Sequence, residues 1–343
     1  MAVTTWAGTT GAWTTAGNWD TAAVPVAADE IIFDGNVSEA VTSGTLPSDT
    51  GNIAFNLLHV KKGFTGDMGT AAAPLCLGTA TGDSMVIIFE GTGTLHLMCS
   101  LGTDDATTTA VIPKIIINSV GGTVNLYSLS NDGANTSSFS DVYLIQGTLN
   151  LALEVHGSVT GDATGAVVDN LYLAPISNSK NAIECNIAAT SYKVNGPDYT
   201  DVYMANGELN TDSGIGTLHM KSGTVNIGTA SGGGTNVDIV ADLIQTGGTI
   251  NWNPNEDSAY INKAHLFGGT LQVSTSTNVA NTRVLGNGAN NDIFLYSGAT
   301  LNIATGRGKV TKHASSQLIN LGGTLTTDSV TDISISYNPD LSA

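Results

Sequence analysis

Four short stretches carry residue types that could cleave a glycosidic bond: the paired carboxylates Asp104-Asp105, the triplet Asn210-Thr211-Asp212, the dipeptide His156-Gly157 and the cationic Arg307-Gly308-Lys309. Inverting hydrolysis needs one carboxylic acid to protonate the leaving oxygen and a second carboxylate, roughly 6.5–9.5 Å away, to activate water. A lyase would instead set an arginine or lysine base beside a calcium ion held by several carboxylates. Spacing argues against both. Asn210-Thr211-Asp212 follows the aspartate pair by about a hundred residues, and Asp104-Asp105 sits between Gly102-Thr103 and Ala106-Thr107, the composition of a solvated turn. Neither Arg283 nor Arg307 has an acidic cluster near it in sequence, and Asn253-Pro254-Asn255-Glu256-Asp257 lacks the regular oxygen-ligand spacing of a calcium loop. His59, His96, His156, His219, His265 and His313 stand singly, with no ligand pair at i+2 or i+4. The expectation is a chain with no catalytic residue, no metal and no cofactor.

Binding chemistry is also sparse. Ser231-Gly232-Gly233-Gly234 opens no helix and so cannot cradle a phosphate. Cys76, Cys99 and Cys185 are too widely spaced for a metal site or a disulfide framework, and read as small core residues. With 29 acidic against 11 basic residues the formal net charge is -18, which repels phosphate backbones and excludes nucleic acid as a general partner. The adjacent Lys61 and Lys62 are a local exception that could meet an acidic partner. Trp6, Trp13 and Trp19, three of the four tryptophans, crowd the first twenty residues and join the two lysines as candidate partner-binding residues. No stretch approaches the roughly 18 apolar residues of a membrane span, and Met1–Trp6 lacks the basic and apolar regions of a secretory leader. The expectation is a protein made in a cytoplasm, with no membrane partner.

The elements that would position such residues follow from a repeat. A phrase of Gly, Thr, a branched apolar residue and Asn recurs as Gly122-Thr123-Val124-Asn125, Gly147-Thr148-Leu149-Asn150, Gly223-Thr224-Val225-Asn226, Gly248-Thr249-Ile250-Asn251, Gly269-Thr270-Leu271-Gln272 and Ala299-Thr300-Leu301-Asn302. Weaker copies stand at Gly93-Thr94-Leu95-His96, Gly207-Glu208-Leu209-Asn210 and Gly323-Thr324-Leu325-Thr326. An alternating strand precedes the phrase, as in Asp141-Val142-Tyr143-Leu144 and Asp201-Val202-Tyr203-Met204, and the glycine makes a corner between the two. Apart from one long step, the phrase returns about every 24 residues, the period of a β-solenoid. Asn170-Leu171-Tyr172-Leu173 and Ala182-Ile183-Glu184-Cys185-Asn186-Ile187 have the alternation to fill the long step. Stacked coils favour the same phrase at equivalent sites, whereas the strands of a sandwich have individual surroundings. The fold expected is therefore all-β, a single-stranded right-handed parallel β-helix of about ten to twelve coils. Residues 1–50 would cap its exposed first coil, 51–330 would form the helix, and 331–343, with Asp332–Tyr337 as last strand, would close it. Asn side chains stacked between coils would hydrogen-bond to one another and stabilise the helix without any ligand.

The opening Trp13-Thr14-Thr15-Ala16-Gly17-Asn18-Trp19, with Val24-Pro25 and Asp29-Glu30-Ile31-Ile32-Phe33, resembles the opening segment of autotransporter-like β-helix proteins, and the Gly-Gly-Thr-Leu phrases resemble their coil repeats. Similar right-handed, pectin-lyase-like β-helices recur in tailed-phage virion proteins, including tailspikes, fibres and head-decoration proteins. The resemblance implies a fold and carries over no catalytic residue. In pectin hydrolases the Asn-Thr-Asp element precedes the paired aspartates by about one coil; here it follows them by roughly four. An autotransporter would also need a leader and a membrane barrel. The function expected is that of a non-enzymatic virion structural protein, a head-decoration or cement protein that binds the major capsid protein or another virion protein, and a homotrimer by the habit of such rods. The alternatives are a tailspike or fibre acting on host polysaccharide, with Trp252, Glu256 and Asp257 as its best residues, and a surface adhesin.

Overall fold

The structure is a computed structural model that describes residues 2–42, 55–77, 85–99, 110–127, 137–153, 167–173, 183–187, 200–211, 215–227, 238–252, 259–273, 282–286, 291–303, 309–312, 315–326 and 335–336. The chain forms two compact units, residues 1–177 with 182–186, and residues 178–181 with 187–343. Unit 1 holds β1 (Val3–Thr5), β2 (Glu30–Phe33), β3 (Leu57–Val60), β4 (Leu75–Leu77), β5 (Val86–Phe89), β6 (Thr94–Cys99), β7 (Ala110–Tyr127), β8 (Ser137–Leu153) and β9 (Val167–Leu173), and nearly all of β10 (Ile183–Ile187). Unit 2 holds β11 (Thr200–Met204), β12 (Glu208–Thr211), β13 (Ile215–Met220), β14 (Thr224–Ile227), β15 (Asp238–Gln245), β16 (Thr249–Trp252), β17 (Ala259–Leu266), β18 (Gly269–Val273), β19 (Thr282–Leu285), β20 (Ile293–Tyr296), β21 (Ala299–Ile303), β22 (Lys309–Lys312), β23 (Leu318–Leu321), β24 (Thr324–Thr326) and β25 (Ile335–Ser336).

Strands pair in parallel with the equivalent strand of the next coil, which makes the protein an all-β parallel β-solenoid with almost no helix. What we term the middle ladder runs β1-β2-β3-β5-β7-β8-β9 in unit 1 and β11-β13-β15-β17-β20-β23-β25 in unit 2. Each is seven strands long, and the coil count differs somewhat from the ten to twelve expected. The difference has a plain origin. The repeat phrase marks only a second ladder, and coils such as those of β1, β2 and β3 lack it. That second, asparagine ladder contains β12-β14-β16-β18-β21-β24 in unit 2 and the later halves of β7 and β8 in unit 1. The strands expected to fill the long step are present as β9 and β10, and Ile335–Ser336 is the described part of the expected last strand.

Alternation decides what lies inside. Ile31, Leu58, Ile87, Ile115, Val142 and Leu171 stack as one buried column, and Phe33, Val60, Phe89, Ile117, Leu144 and Leu173 as the next. In the asparagine ladder of unit 2, Leu209, Val225, Ile250, Leu271 and Leu301 do the same. Each side chain meets its counterpart at about the 4.8 Å strand spacing, and each internal rung satisfies its neighbours' backbone groups. The corner between ladders needs glycine. Gly248 has φ +76°, and a Cβ there would lie 2.7 Å from the Gly223 carbonyl oxygen, so any other residue meets both strain and the previous coil.

The first coil is closed at its outer edge. The Thr5 N–H donates to the Asp20 carboxylate at 2.8 Å, and the Asp20 N–H donates to the Thr5 carbonyl at 3.0 Å. These bonds occupy edge groups that β2 does not use. Asn18 fixes the loop by donating to the Thr10 and Ala12 carbonyls, and the Asp29 carboxylate accepts from the N–H groups of Val26 and Ala2. Those two backbone bonds hold the Asp29 carboxyl below its ordinary pKa.

Candidate functional site

Both ladders present outward columns of side chains, and the columns differ in chemistry. On the asparagine ladder of unit 2, Thr224, Thr249, Thr270, Thr300 and Thr324 form one row and Asn210, Asn226, Asn251, Gln272 and Asn302 the other. The amides bond along the row: Asn226 Nδ2 donates to Asn210 Oδ1 at 2.7 Å, Asn251 Nδ2 to Asn226 Oδ1 at 2.8 Å, and Asn302 Nδ2 to Gln272 Oε1 at 2.8 Å. In unit 1, Asn150 donates to Asn125 at 2.7 Å. His96 takes the next slot of that row, with Nδ1 2.7 Å from the Tyr127 hydroxyl. Burial lowers the His96 pKa, against an opposing pull from Asp67, and raises that of Tyr127. Both shifts favour the neutral forms of the imidazole and the phenol, which share this hydrogen bond. The polar groups of this face are largely engaged with one another, as the stacked-amide reading of the sequence requires.

The middle ladder is different. Its outward column in unit 1 runs Ile32, His59, Ile88, Ile116, Tyr143 and Tyr172, and in unit 2 Tyr203, His219, Ile244, His265, Phe294 and Ile319, all half-buried. Rings stack rung on rung, with centroids 4.6 Å apart for Tyr143–Tyr172, 5.0 Å for Tyr203–His219 and 4.7 Å for His265–Phe294. A second outward column in unit 2 adds Phe267, 45% exposed, and Tyr296, whose rings are 4.3 Å apart. On the other flank stand Asp242, Lys263, Asp292 and Gln317, one per rung. Stacking within the column turns most ring faces toward each other and leaves edges outward, a surface suited to a protein more than to the flat face of a sugar. In unit 1 the flank carries the one ion pair among the described residues, His59 to Glu90 at 2.9 Å.

The five residues expected to bind a partner fall in one neighbourhood of unit 1. Trp6, Trp13 and Trp19 are almost completely buried, with Trp6 and Trp13 each set edge-on to Trp19 at 4.9 Å and all three against Phe33. In this structure they are a packing unit that fills the core beside β1 and β2. Lys61 and Lys62 form the corner beside them, tied in by the Lys61 N–H donating to the Phe33 carbonyl at 2.8 Å. Lys62 is exposed and Lys61 half-buried. Trp252, the aromatic of the polysaccharide reading, faces inward and is buried, while Glu256 and Asp257 lie outside the described residues. So do Asp104, Asp105, His156, Asp212 and Arg307. Thr211 is buried and Asn210 belongs to the amide row. Among the described residues no three His, Cys, Asp or Glu side chains group as metal ligands, and no helix is long and apolar enough to cross a membrane. Cys76 packs in the core with Met98 and Tyr127.

The middle-ladder column was not singled out from the sequence. Its signal was present: the outward positions of the alternating strands, Ile88, Ile116, Tyr143, Tyr172, Tyr203 and Phe294, share an apolar character that solvent would not select. Fold and surface define a parallel β-solenoid with one polar and one apolar outer face. Compared with protein-family models, with curated proteins and with solved structures, the chain has no match in any of the three.

Proposed function

We propose that this chain is a non-enzymatic structural protein that associates with protein through one outer face of its coil, and that its setting is a virion surface, as a head-decoration protein whose further partner is the major capsid protein or another virion protein. The observation that carries the association is the split between the two outer faces in unit 2. One face has its amides bonded to each other, and the other sets Ile244, His265, Phe267, Phe294 and Tyr296 among charged neighbours. An apolar centre with a charged rim is the anatomy of a protein–protein interface. The virion setting rests on the resemblance of the opening segment and coil phrase to phage β-helices. Cryo-electron microscopy of virions purified from the source tests it. Density for this chain at lattice positions on the head supports decoration; density on the tail, or none on any particle, returns the weight to a polysaccharide-binding spike or an adhesin.

A further inference from the structure

We infer that the middle-ladder face of unit 2 is a homotypic interface, and that its occupant is a second copy of the same face turned antiparallel about a two-fold axis. The observation is the order of residues along three outward columns. From β15 to β23 the first reads Asp242, Lys263, Asp292, Gln317; the second Ile244, His265, Phe294, Ile319; the third Thr246, Phe267, Tyr296, Leu321. A two-fold axis parallel to the strands keeps each column opposite itself and reverses the order of the rungs. Placed midway between β17 and β20, it sets Lys263 opposite the second copy's Asp292 and Asp292 opposite its Lys263. The same operation puts Ile244 opposite Ile319, Thr246 opposite Leu321, His265 opposite Phe294 and Phe267 opposite Tyr296. No like charges meet.

Other placements do worse. With the axis through β17, Lys263 faces its own copy and Asp242 faces Asp292, three like-charge encounters that disfavour the pairing. An axis between β15 and β17 keeps the charges matched but sets Phe267 against Thr246 and Tyr296 against Lys221, losing the apolar overlap. A three-fold assembly of parallel rods would place each rung level with itself and gains nothing from the alternation of Asp242, Lys263 and Asp292.

Two further features agree. Lys263 has no carboxylate within ion-pair distance among the described residues, so its charge is open to an external partner. The four described rungs β15, β17, β20 and β23 at about 4.8 Å, with three columns about 7 Å apart, cover roughly 400 Å² in projection on each copy, about half the 800 Å² or so per partner of a stable interface and the size of a concentration-dependent association. In a chain of net charge -18, two copies can approach closely only where the local charge is nearly balanced, and the three columns carry only Asp242, Asp292 and Lys263 on each copy.

The test is the mass of the purified full chain in solution by sedimentation equilibrium across micromolar concentrations. Twice 35.0 kDa is expected. Phe267→Asp is expected to weaken association at least tenfold while the chain, diluted until it is monomeric, melts as the parent does, because Phe267 is exposed in the single chain. Lys263→Asp is expected to weaken it by a similar factor, and Lys263→Asp combined with Asp292→Lys to restore it, since the swap exchanges two groups that face each other. A trimer mass, a monomer at all concentrations, a dimer indifferent to Phe267→Asp, or a double variant no better than Lys263→Asp would each overturn the inference.

Discussion

The asparagine ladder and the middle ladder of unit 2 share a backbone geometry and a rung spacing, yet their outward residues do opposite things. On the first, Asn226 both donates and accepts along the row, so stacking satisfies the face from within. On the second, stacking satisfies ring faces but leaves Phe267 exposed and Ile244, Phe294 and Ile319 half-covered. A solenoid multiplies whatever is written at one position of its coil. A polar residue multiplied becomes a self-contained ladder, and an apolar one becomes a surface in need of a partner.

The contrast can be broken most forcefully from inside. Ile250 is fully buried between Val225 and Leu271. Ile250→Ala should cost about 2–5 kcal/mol by chemical denaturation. Association per folded molecule should stay unchanged, because the core supports both faces alike. Gly248→Ala comes next, at roughly 1–3 kcal/mol, since its φ of +76° and the Gly223 carbonyl 2.7 Å from a new Cβ both oppose it. A loss no larger than that of an exposed-site change would mean that the corner relaxes, and the glycine argument would fail.

The two faces then separate. Asn226→Ala removes a donor and an acceptor from the amide row and should cost about 1–2 kcal/mol while leaving the sedimentation mass alone. Phe294→Ser on the other face should do the reverse, with a smaller stability change and a clear loss of association. If Asn226→Ala dissociated the protein, or Phe294→Ser left it associated, the division into a self-contained face and a docking face would be wrong.

These residues also show what could be read in advance. The Thr–apolar–Asn phrase located the asparagine ladder to the residue, because Thr249 pairs with Thr224 and Thr270, and Asn251 with Asn226 and Gln272. Repetition is legible when the side chains bond to their own copies. The middle ladder lacks such a constraint. Its outward sites accept Ile, His, Tyr or Phe as long as they stack, so it left only alternation and no phrase. Trp6, Trp13 and Trp19 were legible as rare, large residues, while their place in the core rests on contacts with Phe33 that no repeat marks. The boundary between the two units, at residues 177–187, falls inside the one long step of the repeat, between Thr148 and Glu208, where the phrase is missing.

Acid gives the smallest effect and the finest comparison. His96 on the asparagine ladder and His265 on the middle ladder both have pKa values lowered from the ordinary 6.5, first by burial. Around His265, Lys263 adds to the lowering and Asp242 opposes it, and the Tyr296 hydroxyl lies 3.4 Å from Nδ1. A base whose folded pKa is lowered binds protons more readily when unfolded. Stability is therefore full above the ordinary value, falls as pH drops through it, and levels off below the folded pKa. Urea midpoints between pH 8 and 5 should fall, and His96→Gln and His265→Gln should each flatten part of that fall. The histidines differ in what else moves. Protonating His265 places a charge opposite the second copy's Phe294, so association should also weaken toward pH 5 and lose that dependence in His265→Gln. His96→Gln should leave the pH dependence of association untouched. Equal behaviour of the two variants in sedimentation would remove His265 from the interface and with it the distinction between the faces.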